Sequence, residues 1–192
     1  MVLYNKMQKS PELLLHCCCA PCASHVVEKL SPAFNITIFF YNPNIFPCEE
    51  YLKRESEFSK LLVSTDYPNR VNMWQVEYNP DAFEQAIARH KNEPEGGKRC
   101  EICFRLRLEK TAVLAKSDGF DIFATSLSVS PHKNAALLNS IGQELAETHK
   151  IEYLSADFKK QDGYRRSVEL SKKYNLYRQN FCGCSGSVIN SR

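Results

Sequence analysis

Short runs of apolar residues alternate along the chain with longer stretches in which apolar positions recur at helical spacing. The run at residues 35–41 (Asn-Ile-Thr-Ile-Phe-Phe-Tyr) is rich in β-branched and aromatic residues and apolar on both faces, which is typical of a central parallel strand. Strands are predicted at residues 12–15, 35–41, 71–76, 121–126 and 151–154. Helices are predicted at residues 24–30, 49–62, 81–90, 100–117, 134–149 and 163–174. The alternation predicts an α/β fold, a Rossmann-like, doubly wound parallel sheet flanked by helices, in a single domain spanning residues 1–192.

Cysteines change this picture most, because eight of the nine fall in three short segments. Residues 16–22 read His-Cys-Cys-Cys-Ala-Pro-Cys, residues 100–103 read Cys-Glu-Ile-Cys, and residues 182–184 read Cys-Gly-Cys. We expect Cys17 to point into the sheet as a small apolar residue, and the isolated Cys48 to be an inert, partly buried thiol. Seven thiols then remain, whereas one tetrahedral zinc or one cubane iron–sulfur cluster uses four. The number favours two metal centres, or one metal centre and a redox dithiol.

The cellular compartment bears on how these thiols are interpreted. An odd number of cysteines in a chain of 192 residues, long enough to bury a full core, fits a disulfide framework badly. We find no leader-like N-terminal segment and no apolar run long enough to span a bilayer. A cytoplasmic protein with reduced thiols and no membrane partner is therefore expected. A structural zinc site remains the main alternative to redox chemistry.

The first cysteine segment follows the first predicted strand, where nucleotide-binding α/β proteins place a glycine-rich phosphate loop. Neither Gly-x-x-x-x-Gly-Lys nor Gly-x-Gly-x-x-Gly occurs among the seven glycines. Cys100 begins a predicted helix, where the helix dipole favours thiolate over thiol. Gly183 lets the backbone between Cys182 and Cys184 approach a cluster closely. These positions predict a metal–thiolate site at the carboxyl edge of the sheet.

A basic, aromatic segment near the C-terminus indicates a candidate RNA surface. Residues 150–178 contain eight Lys or Arg and four Asp or Glu, a surplus of +4 against +3 for the whole chain. Basic side chains bind phosphates and aromatic rings stack on unpaired bases. The alternative is a solvated amphipathic helix with its aromatic rings in the core. The interleaved aromatic residues are Tyr153, Phe158, Tyr164, Tyr174, Tyr177 and Phe181, and the candidate RNA-binding residues are Arg165, Arg166, Lys172, Lys173 and Arg178.

Five motifs, in order, resemble those of the cobalamin-independent epoxyqueuosine reductases, the QueH family. The resemblance runs from about residue 13 to residue 188. The motifs are residues 18–22 (Cys-Cys-Ala-Pro-Cys), 41–45 (Tyr-Asn-Pro-Asn-Ile), 100–103 (Cys-x-x-Cys), 130–134 (Ser-Pro-His-Lys-Asn) and 177–184 (Tyr-Arg-Gln-Asn-Phe-Cys-Gly-Cys). The resemblance implies a nucleotide-hydrolase-like sheet with small helical additions, and the last step of queuosine synthesis. It also implies a tRNA carrying epoxyqueuosine as substrate and an unidentified electron donor as partner.

The same resemblance implies a 4Fe–4S cluster and a neighbouring single iron. Carried over as cluster or metal ligands are Cys18, Cys19, Cys22, Cys100, Cys103, Cys182 and Cys184. Family members can place an aspartate at the position of Cys22, so we expect Cys22 on the single iron. Spacing suggests Cys100 and Cys103 for the cluster, and the division of the other four stays open.

Epoxide reduction removes one oxygen as water and consumes two electrons and two protons. The candidate proton donors are His16, His132, Lys133 and Tyr164. For His16, a core imidazole at a strand end is an equal alternative. Two other functions remain open, a zinc-stabilised RNA-binding module without chemistry and a thioredoxin-like dithiol oxidoreductase that uses Cys100 and Cys103.

Overall fold

A computed structural model describes residues 10–186, and its centre is a five-stranded sheet. The strands are β1 (Glu12–His16), β2 (Asn35–Phe39), β3 (Val71–Trp74), β4 (Ile122–Thr125) and β5 (Glu152–Tyr153). Their order is β3-β2-β1-β4-β5, and every neighbouring pair is parallel. The α/β class and the parallel sheet predicted from the sequence are confirmed.

Six α-helices connect and cover the strands of the described chain. They are α1 (Ala20–Leu30), α2 (Cys48–Val63), α3 (Asp81–Ala86), α4 (Lys98–Ser117), α5 (Ala135–His149) and α6 (Gly163–Lys173), with a short 3-10 helix at Ser126–Val129. Helix α1 packs against α2 and α6, whereas α4 packs against α3 and α5. Right-handed crossovers in both directions from β1 place these two groups on opposite faces of the sheet. Among residues 10–186 we find no helix with the length and apolar character needed to cross a membrane.

The boundaries of α1 differ from the prediction in a way that matters for the site. The helix begins at Ala20, four residues before the predicted start, with Pro21 in its first turn. Proline is tolerated there because the first N–H groups of a helix have no intrahelical partner. Cys22 therefore lies inside the first turn of α1, and Cys19 is its N-cap residue.

Strand β1 occupies the centre of the sheet and of the core. Leu13, Leu14 and Leu15 are fully buried, as expected for a strand covered by helices on both faces. From β1 the chain proceeds outward through β2 to β3, and then returns to the opposite side of β1 as β4 and β5. The point where the strand order reverses is the usual ligand crevice of open α/β sheets. The first cysteine segment lies directly at this reversal point.

Candidate metal centre

His16 joins the carboxyl ends of the three central strands. Its Nε2 lies 3.1 Å from the Tyr41 carbonyl oxygen, and its Nδ1 lies 3.1 Å from Thr125 Oγ1. Because a carbonyl only accepts, Nε2 carries the hydrogen, and the Thr125 hydroxyl donates to Nδ1. Burial lowers the pKa of His16 to about 3. Both ring nitrogens are thus engaged in a neutral imidazole that does not line the main cavity described below. This arrangement corresponds to the core imidazole rather than to the proton donor.

The first cysteine segment forms a compact group of thiols at the start of α1. Cys18, Cys19 and Cys22 are each at most 9% exposed, and the Sγ atoms of Cys18 and Cys19 lie 3.9 Å apart. Hydrogen bonds from Cys19 and Cys22 lower the pKa of Cys18 well below its usual value, and the nearby Lys133 ammonium lowers it further. The same contact with Cys18 raises the pKa of Cys19 to about 11 and raises that of Cys22. Cys18 is therefore the thiol of this group that most readily carries the negative charge.

The remaining two cysteines of the sequence behave differently from each other. Cys17 is fully buried, and burial raises its pKa well above the usual value, in agreement with an apolar role. Cys48 was expected to be partly buried, but it is exposed at the first residue of α2. The expectation was wrong because only the buried face of this amphipathic helix packs on the core, and Cys48 does not lie on that face.

The second and third cysteine segments lie close to each other and to the first segment. The Gly96 N–H donates to Cys100 Sγ at 3.2 Å in the first turn of α4, and Cys103 lies almost one turn further on. Burial raises the pKa of Cys103 to about 11. A hydrogen bond from Cys184 lowers the pKa of Cys182 to about 5, and the positive charge of Lys133 contributes to the lowering. Cys182 thus resembles Cys18 as a site of thiolate charge.

Side chains of α2 hold the third segment in place. Glu57 Oε2 accepts the Tyr177 N–H at 2.7 Å, and Arg54 Nη1 donates to the Cys182 carbonyl at 3.0 Å. Gly183 has φ of +96°, and a Cβ atom there would lie 2.8 Å from Arg54 Nη2. The glycine therefore provides both the left-handed backbone and the close approach to the guanidinium. Arg54 was not predicted from the sequence, because its contacts with the third segment join residues 128 positions apart.

The thiols line two adjoining cavities at the carboxyl edge of the sheet. The main cavity has a volume of about 480 Å³ and the smaller one about 100 Å³. Four residues line both cavities, namely Glu95, His132, Lys133 and Cys182. The main cavity is lined by Cys18, Cys19, Cys22, Arg54, Glu95, His132, Tyr164, Arg178, Gln179, Asn180 and Phe181, among others. The smaller cavity is lined by Cys100, Cys103, Cys184, Glu95, Arg99, Arg107 and His132, among others.

Buried positive charge without a carboxylate partner is the second property of this edge. Arg107 is 1% exposed. Its Nε donates to the Cys103 carbonyl at 3.1 Å and its Nη1 to Asn42 Oδ1 at 3.3 Å, but its Nη2 has no hydrogen-bond partner in the described part of the chain. Burial lowers the pKa of Lys133, but the thiolates of Cys18 and Cys182 raise it by more, so the ammonium keeps its proton. Within residues 10–186 neither cation forms an ion pair with a carboxylate.

A buried cation is costly unless an anion compensates it. Thiolates, or the negative charge of a thiolate-bound iron–sulfur cluster, would balance the positive charges of Arg107 and Lys133. In the described part of the chain, no three His, Cys, Asp or Glu side chains already have the spacing of a coordination sphere. The fit is therefore one of donor chemistry, proximity and charge.

The profile of the family described as "Epoxyqueuosine reductase QueH" matches residues 13–189. The chain belongs to this family. The protein named "Epoxyqueuosine reductase QueH" from Streptococcus pyogenes serotype M1 is 40% identical to this chain, over 95% of this chain and 72% of its own length. The protein of the same name from Staphylococcus epidermidis is 41% identical, over 91% of this chain and 75% of its own length. The protein of that name from Thermotoga maritima is 36% identical over 94% of this chain and 92% of its own length. The family resemblance found in the sequence is confirmed.

A likeness in three dimensions is weaker. The crystal structure of a predicted subunit of tRNA methyltransferase from Methanocaldococcus jannaschii superimposes with a TM-score of 0.49 and 17% identity, over 81% of this chain and 76% of that one. This likeness is too distant to carry an argument about function.

As a member of the QueH family the chain is an oxidoreductase, so the non-catalytic zinc module is set aside. The structure brings three of the four candidate proton donors to the main cavity, namely His132, Lys133 and Tyr164. Arg178 also lines this cavity, with its guanidinium carbon 5.1 Å from the centre of the Tyr164 ring. The cavity of this QueH family member thus combines thiols, cations and an aromatic wall.

The other candidate RNA-binding residues lie on α6, and their charges are not equally available. Arg166 forms a bidentate ion pair with Glu28 at 2.7 and 2.9 Å and also contacts Glu169 at 3.3 Å. Arg165 contacts Asp162 at 3.1 Å but is 70% exposed. Lys172 and Lys173 are exposed in the last turn of the helix. Within this set, Arg166 is the residue held by a bidentate ion pair, whereas Arg165 makes single contacts with Asp162 and, at 3.6 Å, with Glu169.

Proposed function

We propose that this protein reduces epoxyqueuosine to queuosine in the anticodon loop of tRNA, the last step of queuosine synthesis. The observation that supports this most strongly is the convergence of thiols from three distant segments on two adjoining cavities, beside two cations that lack carboxylate partners among residues 10–186. The family name indicates the substrate. The free cysteines fit the reducing cytoplasm, where we place the reaction.

We propose Cys100, Cys103, Cys182 and Cys184 as ligands of a 4Fe–4S cluster. These four thiols line the small cavity, and so does Arg107, whose Nη2 has no hydrogen-bond partner among the described residues. A guanidinium N–H in that position suits a negatively charged cluster, whose sulfurs accept hydrogen bonds.

For the second iron we propose Cys18, Cys19 and Cys22, which line the main cavity and lie next to one another. Three protein ligands would leave a position open toward the cavity, as in catalytic metal sites. When bound, the cluster would supply electrons singly and the open-sited iron would act as a Lewis acid. The redox dithiol alternative uses Cys100 and Cys103 but gives no role to the thiols at the first segment.

The reaction replaces two C–O bonds of the epoxide by a carbon–carbon double bond and releases the oxygen as water. Two electrons and two protons are consumed. Lys133 keeps its proton beside the thiolates, so we assign it to stabilising negative charge rather than to proton donation. His132 and Tyr164 line the cavity and remain the candidates that hand protons to the departing oxygen.

The nucleotide reaches the cavity from a loop that is already single-stranded, so its extrusion disrupts no Watson–Crick pair. Tyr164 offers a stacking face at the cavity, and Arg178 offers a charge for a neighbouring phosphate. Arg165, Lys172 and Lys173 would extend this contact along α6.

The experiment is a turnover assay with iron-loaded protein, tRNA containing epoxyqueuosine and a low-potential reductant, without oxygen or cobalamin. Digestion to nucleosides followed by mass spectrometry should show the loss of one oxygen mass. Iron-replete protein that binds the tRNA tightly but produces no such shift would contradict the proposal.

A further inference from the structure

Apart from its thiols, the main cavity carries more positive than negative side chains. Arg54, Lys133 and Arg178 line it, whereas Glu95 is the one carboxylate among the described residues that line it. Arg54 is already paired with Glu50 at 2.6 Å. Besides these charged residues, the cavity is lined by thiols and by neutral polar and aromatic side chains.

Glu95 also differs from the other carboxylates of its own segment. Glu93 contacts His90 Nδ1 at 3.0 Å and accepts the Lys98 N–H at 2.7 Å, and Glu101 pairs with Lys98 Nζ at 2.9 Å. Neither Glu93 nor Glu101 lines either of these two cavities, whereas Glu95 lines both the main cavity and the smaller thiol cavity. In the described part of the chain Glu95 forms no ion pair. Its carboxylate is left to face the cavity beside Cys182.

The substrate class assigned above carries one positive charge of its own. In epoxyqueuosine the epoxide is on a cyclopentane ring, and the adjacent ring carbon bears the secondary amine that leads to the 7-deazaguanine base. An alkylamine is protonated at neutral pH, as lysine is. Because the amine is on the ring carbon next to the epoxide, the ammonium must also lie in the cavity when the epoxide lies at the thiols. Without a counterion it would face Lys133 and Arg178.

We propose that the Glu95 carboxylate is the counterion of the substrate's secondary ammonium and thereby fixes the cyclopentane ring with its epoxide toward the thiols. This inference rests on the proposed function, because it takes the amine-linked epoxide as the substrate. Glu95 is a specificity-determining residue here, because the modified nucleoside carries this ammonium and unmodified guanosine does not. A charge-assisted hydrogen bond supplies the affinity.

The kinetic test compares Glu95→Gln, a neutral side chain of the same shape, with Glu95→Asp and with the control Glu101→Gln. Glu95→Gln should raise KM about tenfold and leave kcat nearly unchanged, because the interaction is made before and during reaction alike. Glu95→Asp should recover part of the loss, and Glu101→Gln should match the wild type. Iron and sulfide content and the visible spectrum should be the same in all four proteins.

A binding test separates recognition from turnover. Queuosine in the product tRNA retains the ammonium, so iron-loaded wild type should bind this tRNA more tightly than the same tRNA carrying guanosine. Glu95→Gln should lose this preference and Glu101→Gln should keep it.

The inference is wrong if Glu95→Gln keeps the wild-type KM and preference, or if it loses iron. Turnover by the wild type together with an unaffected Glu95→Gln variant would overturn this inference alone. A Glu95-dependent preference for queuosine in a protein that never turns over would uphold the ammonium site and overturn the proposed reaction.

Discussion

The carboxyl edge of the sheet and the surface of α6 both carry positive charge, but the fold treats the two regions oppositely. On α6, Arg166 is held by Glu28 and Glu169 and Arg165 contacts Asp162, so opposite charges lie within reach. At the carboxyl edge, Arg107 is buried and Lys133 is half-buried beside thiols, and neither has a carboxylate partner among the described residues. Buried charge that the protein itself does not compensate points to an anionic group that belongs there.

The largest expected effect is the removal of a thiol from this edge. Cys103→Ala should abolish most visible absorption of anaerobically reconstituted protein, because a cubane lacking one protein ligand is readily degraded. The matched control is Cys48→Ala, since Cys48 is exposed and lines neither cavity. Absorption spectra with iron analysis would measure both. A colourless Cys48→Ala variant beside a fully coloured Cys103→Ala variant would reverse the ligand assignment.

The next effect concerns the unpartnered cation. Arg107→Gln removes a positive charge beside the proposed cluster, so reduction should become harder and the midpoint potential should fall by about 60 mV, a tenfold change for one electron. Arg105→Gln is the control two residues away, because Arg105 lies at the surface in an ion pair with Glu144 at 2.7 Å. A spectroelectrochemical titration measures both variants. Equal potentials in wild type and Arg107→Gln protein of equal iron content would mean that Arg107 has no electrostatic role.

The smallest expected effect is on tRNA binding, and it distinguishes the carboxyl edge of the sheet from the surface of α6. Arg178→Ala should weaken tRNA binding and reduce the slope of log affinity against log salt by about one unit, since one phosphate contact is lost. Arg166→Ala should change the slope by less, because the Arg166 charge is already neutralised by Glu28. Filter binding over a salt series would measure both. A larger change for Arg166→Ala would place the RNA on α6 and away from the cavity.

Much of the architecture was accessible from the sequence because its causes are local. The three leucines of β1 and the cysteines that follow the strand predict a site at the carboxyl end of a central strand. The start of α1 was placed too late because Pro21 reads as a boundary, although a first helical turn accepts it.

The properties that decide the chemistry of the site depend on contacts between distant residues. The pairing of Arg166 with Glu28 joins positions 138 residues apart, so counting charges in residues 150–178 overstated the free positive charge. Arg107 and Asn42 are 65 residues apart. Asn42 lies in one of the five family motifs, but nothing in the local sequence marks Arg107 as part of the site. Such residues can be identified only when the fold has brought the segments together.

We propose that one edge of the sheet holds two metal centres rather than one. The most direct test of this proposal is the ratio of iron to acid-labile sulfide in anaerobically reconstituted, fully active protein. A cubane alone contains equal amounts of iron and sulfide, so a cluster with a separate iron should give iron in excess of sulfide. Equal iron and sulfide in fully active protein would contradict the account.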